Sequence, residues 1–370
     1  MGLSNSVYGS TTIPRIYCDY IQYAKAIGYV EEYQTDQEGD ARAAFDMNPV
    51  NMNTYTFLEA NWYTKNKLVF KNTANTNRQF SLFLQGINYY GLLGHRLALD
   101  SPQGFVGLEA CEASAGSSTC DWWDVVSGGH SEILGDPDNT ESVGFSLYSI
   151  DSPMTMNTTQ LSFMVYNGSS NVFGYSIGDQ VSIGSWTCGR YFDFPHNTNL
   201  QMNINQSYEG IRSKRTAGGS DITEILYTKP DWGDLPAWQH IDTTKYDTPS
   251  DYATNEDYRP VSNKSRRSWD LTFSYLAKEN TFPKSPDGSL AGEYLLGYDT
   301  MDTPFLGTKI KDNIIATFHA VTLGGQIPFI FQPDKTKKDF CMCKLKSNGL
   351  SIQQSAPELY TCKLSFVEVW

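Results

Sequence analysis

Long apolar runs are missing from this sequence of 370 residues. No segment approaches the roughly 20 consecutive apolar residues that a membrane-spanning helix needs. The first ten residues, MGLSNSVYGS, also lack the charged and apolar regions of a secretory signal peptide. We therefore expect no membrane span and no export, and we expect the chain to be made in a cytoplasm.

Positive charge is scarce as well. The chain has 28 lysine and arginine residues against 41 aspartate and glutamate residues, which gives a formal net charge of −13. Binding to a nucleic-acid backbone or to an anionic membrane surface needs clustered cations. The composition therefore argues against nucleic acid and membrane as partners, and an acidic surface of this kind favours solubility.

Sequence motifs for catalysis or metal binding are absent. The five histidines are scattered, and neither a phosphate-binding loop nor a dinucleotide-binding glycine motif occurs. Cys341, Cys343 and Cys362 could share a strand face and hold zinc through three thiolates. Zinc sites more often use a Cys-x-x-Cys turn, so we expect buried core cysteines here. We expect no enzyme activity, no cofactor and no metal.

The seven cysteines show no regular disulfide framework. Reduced thiols are the default in a protein made in a cytoplasm. Cys111 and Cys120 flank a glycine- and serine-rich loop and could form a disulfide, so both redox states stay open for this pair.

Aromatic residues and short alternating strands dominate what is present. The chain has 23 Tyr, 19 Phe and 8 Trp, and 40% of its residues are hydrophobic, which is enough for packed cores. Aromatic side chains favour strands. Short strands separated by Gly, Asn, Ser and Asp turns predict a mainly β fold with a β-sandwich in the N-terminal part.

The chain length predicts two domains. Aliphatic residues are nearly missing from 240–266, which marks this stretch as a polar linker. We therefore expect a β-sandwich domain over 1–239, with a long loop insertion at 99–142, and a smaller β-rich assembly domain over 267–370.

The C-terminal domain is expected to contain one helix. Asp312 could cap a helix that buries Ile314, Phe318 and Val321, and the glycines at 324–325 would end it. A second pattern in this domain is a strand on which Trp269, Leu271, Phe273 and Tyr275 alternate onto one face.

One candidate binding site lies in the 99–142 insertion. Trp122 and Trp123, with Asp124 and His130 nearby, could form a sugar platform, in which an aromatic face stacks on a pyranose and polar groups bind its hydroxyls. Loop aromatics can equally contact a neighbouring subunit or cover the core, so all three interpretations stay open.

Several segments resemble proteins of tailed bacteriophages. Residues 89–97 (YYGLLGHRL) resemble a strand and loop of galactose-binding-like, discoidin-type β-sandwiches in such phages, and residues 184–195 (GSWTCGRYFDFP) with 208–220 resemble their continuation. Residues 267–276, 327–333 and 363–370 resemble tail-associated virion proteins. Arg96 stands where the pattern has asparagine, so no ligand-binding detail is carried over.

The resemblance implies a structural virion protein with a galactose-binding-like or jelly-roll sandwich, in the distal tail or baseplate region. Such a protein would assemble in the host cytoplasm into a homo-oligomeric ring and would dock other phage tail proteins. An acidic ring would let DNA pass without binding it. The alternative is a carbohydrate-binding adhesion protein that recognises a surface glycan, and further alternatives are a polysaccharide depolymerase and a capsid decoration protein.

Overall fold

Strands make up most of the residues that a computed structural model of the protein describes. The described residues are 13–36, 38–49, 53–58, 63–70, 87–95, 105–113, 120–124, 130–134, 144–150, 158–166, 178–199, 203–208, 211–225, 239–240, 261–262, 265–277, 281, 318–319, 321–336, 340–347 and 349–369. The alternation of Phe80, Leu82 and Leu84 in the sequence predicts a further strand at 80–84, which lies outside them.

Twenty-one strands, one α-helix and one 3-10 helix are formed by these residues. The α-helix is α1 (Tyr20–Ala26), and the 3-10 helix spans Ala43–Phe45. In chain order the strands are β1 (Arg15–Asp19), β2 (Val30–Thr35), β3 (Asn53–Thr56), β4 (Tyr63–Phe70), β5 (Tyr89–His95), β6 (Phe105–Ala113), β7 (Cys120–Asp124), β8 (His130–Leu134), β9 (Gly144–Ile150), β10 (Thr158–Tyr166), β11 (Gln180–Asp193), β12 (Asn203–Tyr208), β13 (Ile211–Arg215), β14 (Asp221–Ile225), β15 (Gln239–His240), β16 (Val261–Ser262), β17 (Ser265–Ala277), β18 (Phe329–Gln332), β19 (Cys341–Leu345), β20 (Ser351–Ala356) and β21 (Leu359–Glu368).

The strands pair antiparallel in two large sheets and two small ones. The first sheet has 12 strands, in the order β12-β17-β21-β19-β18-β1-β11-β5-β9-β8, with β20 beside β21 and β3 beside β11. The second sheet has five strands, in the order β2-β4-β10-β6-β7. Two-stranded ladders join β13 to β14 and β15 to β16. The predicted mainly β fold is confirmed.

One hydrophobic cluster joins the two large sheets. Phe163 of β10, in the second sheet, lies with its ring centroid 5.3 Å from that of Trp186 on β11, in the first. Phe45 of the 3-10 helix packs on Phe163 from another side, at 5.5 Å. All three side chains are fully buried. The sheets therefore cover each other's apolar faces, as antiparallel sheets must do to keep those faces from water.

Strands from both predicted domains meet in the first sheet. β1 lies between β11 and β18, so a strand at 15–19 pairs directly with one at 329–332. Within the predicted linker, His240 pairs with Val261. Residues 241–260 lie outside the described residues, and a boundary at 240–266 stays a prediction.

The stretch 99–142, expected to be a loop insertion, contains strands β6, β7 and β8. On β6 the side chains of Val106, Leu108 and Ala110 alternate into the shared core. This period of two was overlooked because glycine and polar residues surround it.

A helical turn is present where the C-terminal helix was predicted, at residues 318, 319 and 321. Phe318 and Val321 are buried, as expected. Gly324 and Gly325 follow with φ of 71° and 77°, a backbone conformation that favours glycine, and the Gly324 amide donates to the carbonyl of His319 at 2.7 Å. Asp312 and Ile314 lie outside the described residues.

The predicted alternation on β17 is confirmed for three residues and wrong for the fourth. Trp269, Leu271 and Phe273 are buried, but Tyr275 is 75% exposed. The pairing of β17 with β21 shifts between Phe273 and Leu276, and Tyr275 has a positive φ of 62°. This bulge adds one residue to the strand, so Leu276 takes the buried position expected for Tyr275.

We predict that Trp269→Ala lowers the free energy of unfolding by about 3–5 kcal/mol, because Trp269 is fully buried and its ring packs edge-on against Phe331 at 5.5 Å. Tyr275→Ala on the same strand is the matched control and should change stability by less than about 0.5 kcal/mol. Urea denaturation of both variants measures this. Equal losses in the two variants would contradict the observed strand register.

Candidate functional site

The predicted sugar-binding residues lie on two strands in different sheets. Trp122, Trp123 and Asp124 belong to β7, the strand at one end of the second sheet, and His130 begins β8, the strand at one end of the first sheet. The backbone register places His130 opposite Ile150. The four residues are thus on edge strands, and the sugar platform stays a prediction.

The two tryptophans occupy adjacent positions of β7. Trp122 pairs with Cys111 and Trp123 pairs with Ala110 of β6. Successive strand positions belong to opposite faces of a sheet. Ala110 faces the core shared by the two sheets.

A buried polar cluster surrounds Asp19, at the junction of β1 and α1. Asp19 is 1% exposed and caps the helix, since its Oδ1 accepts a hydrogen bond from the Gln22 amide at 3.0 Å. The Tyr89 and Thr187 hydroxyls form a buried hydrogen bond of 3.1 Å on the neighbouring strands. Burial raises the pKa of Asp19 to about 6. Burial, and then the charge of Asp19, also raise the pKa of Tyr89 and Cys188.

A histidine and a serine form a second buried pair. His95 Nε2 and Ser146 Oγ lie 2.9 Å apart, between β5 and β9. Both residues are buried, and burial lowers the pKa of His95 to about 3. A histidine beside a serine is an arrangement used in nucleophilic catalysis. An imidazole of such low pKa is a weak base, and a substrate cannot reach it, so we interpret this pair and the Asp19 cluster as structural.

The cysteines are buried, as the sequence predicted for the pair on β19. Cys341 Sγ and Cys343 Sγ lie 3.4 Å apart, and Cys362 is buried on the adjacent β21. Among the cysteines whose side chains are described, five are free thiols: Cys18, Cys188, Cys341, Cys343 and Cys362. Burial raises the pKa of Cys341 well above the ordinary thiol value, which keeps it protonated and unreactive.

Cys111 on β6 is in a disulfide bond. The sequence left both the reduced and the oxidised state open for this residue, and the structure has the oxidised one. Among the residues that the structure describes, no group of three or more His, Cys, Asp and Glu side chains could hold a metal ion.

The hairpin of β13 and β14 is exposed on both sides of its turn, at residues 213–215 and 221–222. It forms a two-stranded sheet of its own, with Arg215 paired to Asp221 next to the turn. Hydrogen bonds close the turn, among them one from the Thr216 amide to the Ser220 carbonyl at 2.8 Å and one from the Ser220 amide to Thr216 Oγ1 at 3.0 Å. Ile222 on β14 is 59% exposed.

The Gly-Gly pair within residues 208–220 predicts two strand ends around a turn, and the structure confirms a hairpin there. Its isolation from the large sheets had no signal in the sequence. The Asp19 cluster and the His95–Ser146 pair were also missed, because their partners are about 50 to 170 positions apart in the chain and single-sequence patterns report only local spacing.

No protein-family model, curated protein or solved structure matches the chain. Within the described ranges, the structure has no helix that is both long and apolar enough to span a membrane.

We predict that Asp19→Asn removes a pH dependence of stability. The folded pKa of about 6 lies above the ordinary value of 3.8, so the folded state binds the proton more tightly. Protonation of Asp19 therefore contributes to the free energy of unfolding. This contribution is complete below pH 3.8 and is lost as the pH rises through 6, with a total on the order of 3 kcal/mol. Asparagine keeps the helix cap and does not ionise.

Urea denaturation at pH 4, 5.5 and 7 tests this expectation. The free energy of unfolding of Asp19→Asn should increase relative to the wild type as the pH rises, and the contribution of His95 cancels because both proteins carry it. Asp19→Ala is the control that also removes the cap and should lose about 1 kcal/mol more than the asparagine variant at every pH. Parallel pH profiles for wild type and Asp19→Asn would contradict the raised pKa.

Proposed function

We propose that the protein is a structural component of a tailed-phage virion, a tail protein of the distal tail or baseplate region that assembles with copies of itself and docks neighbouring tail proteins. The observation that carries this proposal is the exposed β13–β14 hairpin. It extends as a separate ladder with an exposed apolar side chain, Ile222, next to charged ones. Ladders of this kind are marginally stable alone and gain stability from a partner.

The resemblance to tail proteins supports the same function. The segments that carry it fall on ordered elements: 89–95 form β5, 184–193 lie on β11, and 267–276 lie on β17. We propose that the two antiparallel sheets form a galactose-binding-like sandwich, because they bury a common core through Phe163 and Trp186.

The charge of the chain suits a tail position. A net charge of −13 repels the DNA backbone, so a ring of such subunits around a channel would let DNA pass without holding it. The exposed hairpin supplies a protein contact, which agrees with a role in assembly.

The test is the state of the purified full-length chain. We predict closed rings of uniform size in negative-stain images. Sedimentation velocity should show one oligomeric species whose fraction increases with protein concentration. The chain should not bind to a glycan array and should not release sugar from polysaccharides. A chain that stays monomeric and binds glycans would support the adhesion alternative. Turnover of a polysaccharide by the monomer would support the depolymerase alternative, and either result would contradict the proposal.

A further inference from the structure

The two strands of the hairpin carry opposite charges. β13, with the sequence IRSKR, contains Arg212, Lys214 and Arg215 and no acidic residue. β14, with the sequence DITEI, contains Asp221 and Glu224 and no basic residue. Within the hairpin the register pairs Arg212 with Glu224 and Arg215 with Asp221. The ladder therefore has one basic strand and one acidic strand side by side.

Both strands present these charges to solvent near the turn. The Arg215 and Asp221 side chains are 77% and 72% exposed, and their closest charged atoms, Nε and Oδ1, are 3.9 Å apart. Lys214 is exposed too, directly opposite the exposed Ile222. The Arg215–Asp221 pair is thus loose, and its two exposed charges can interact with a second molecule.

The segregation of charge decides which contact between two hairpins is favourable. A two-fold symmetric contact would place β13 beside β13, or β14 beside β14, and would bring like charges together. A contact of β13 from one copy with β14 of the next brings opposite charges together. Two hairpins side by side in the same orientation place β13 of one copy antiparallel to β14 of the other. All ladders between the described strands have this antiparallel arrangement.

We propose that the hairpin docks on the hairpin of a second copy of this chain, with the basic β13 of one copy beside the acidic β14 of the next. The contact is head-to-tail, so each copy contacts one neighbour through β13 and the other neighbour through β14. Contacts of this kind close into rings when the rotation between copies allows it. The inference rests on the proposed self-assembly and names the surface and polarity through which it occurs.

Exchange of the charges tests this contact. The first variant makes β13 acidic, with Arg212→Glu, Lys214→Glu and Arg215→Glu. The second makes β14 basic, with Asp221→Lys and Glu224→Lys. Each variant alone should associate more than about tenfold more weakly than the wild type, because like charges then face each other across the contact. Sedimentation equilibrium of the full-length chains measures the dissociation constants.

Mixing the two variants in equal amounts should restore assembly, because each acidic strand then meets a basic one. A five-substitution chain that carries both exchanges should assemble by itself, since its charges are reversed on both strands. Within its hairpin this chain again has opposite charges on the two strands. Its assembly would therefore show that the substituted side chains themselves do not unfold the hairpin. High salt should weaken association of the wild type and of the five-substitution chain alike.

The outcomes separate this inference from the proposed function. A wild type that forms rings while both single-strand variants form them equally well would overturn the hairpin contact and leave self-assembly standing. Variants that fail alone and fail when mixed would also overturn it. Restored particles that stop at dimers would contradict the head-to-tail polarity. A wild type that stays monomeric at every concentration would overturn both proposals.

Discussion

The pairing of β1 with its two neighbours is the constraint on which the rest of the structure depends. β1 is five residues long, yet it joins β11, in the predicted N-terminal domain, to β18, in the predicted C-terminal domain. β1 and β18 are more than 300 positions apart in the chain. Its side chains alternate between two buried clusters, with Ile16 and Cys18 on one face and Tyr17 on the other. Strands buried on both faces carry such continuous apolar runs.

Polar contacts fix the same three strands. Arg15 donates to Asp193 on β11 at 2.6 Å, and Lys335, just after β18, donates to the same carboxylate at 3.1 Å. Burial alone would raise the pKa of Asp193, but these two cations hold it below its ordinary value. Tyr17 donates to the Gln332 side chain at 2.8 Å in the buried interior. Gly189 permits the close approach of β11 to β1, since a Cβ there would lie 2.0 Å from the Cys18 carbonyl oxygen. Hydrogen bonds, charge and shape therefore all specify one register for β1.

The sequence predicts the local elements well and the long-range ones poorly, for a physical reason. Cys362, Leu364 and Phe366 alternate in the sequence, which predicts one face of a strand, and all three are buried on β21. Alternation fails at Tyr275, because a bulge changes the register by one residue without changing the composition. The sequence pattern of 16–30 is ambiguous, because a buried strand turns into α1 there, at the Asp19 cap. The joining of the two halves through β1 could not be predicted, since strand partners are chosen by tertiary packing. Of the candidate site, the hairpin strands and their charges were visible in the sequence, whereas their separation from the large sheets was not.

Native-state hydrogen exchange tests the central claim, that one sheet unites the two halves of the chain. Amides of β1 and β11 should exchange through the same global opening as those of β17 and β21, with one free energy of opening that falls with urea at one slope, because a sheet joined through β1 unfolds as a unit. Two distinct free energies and slopes, one for β1, β5 and β11 and another for β17, β19 and β21, would show that the halves unfold separately and would contradict the account.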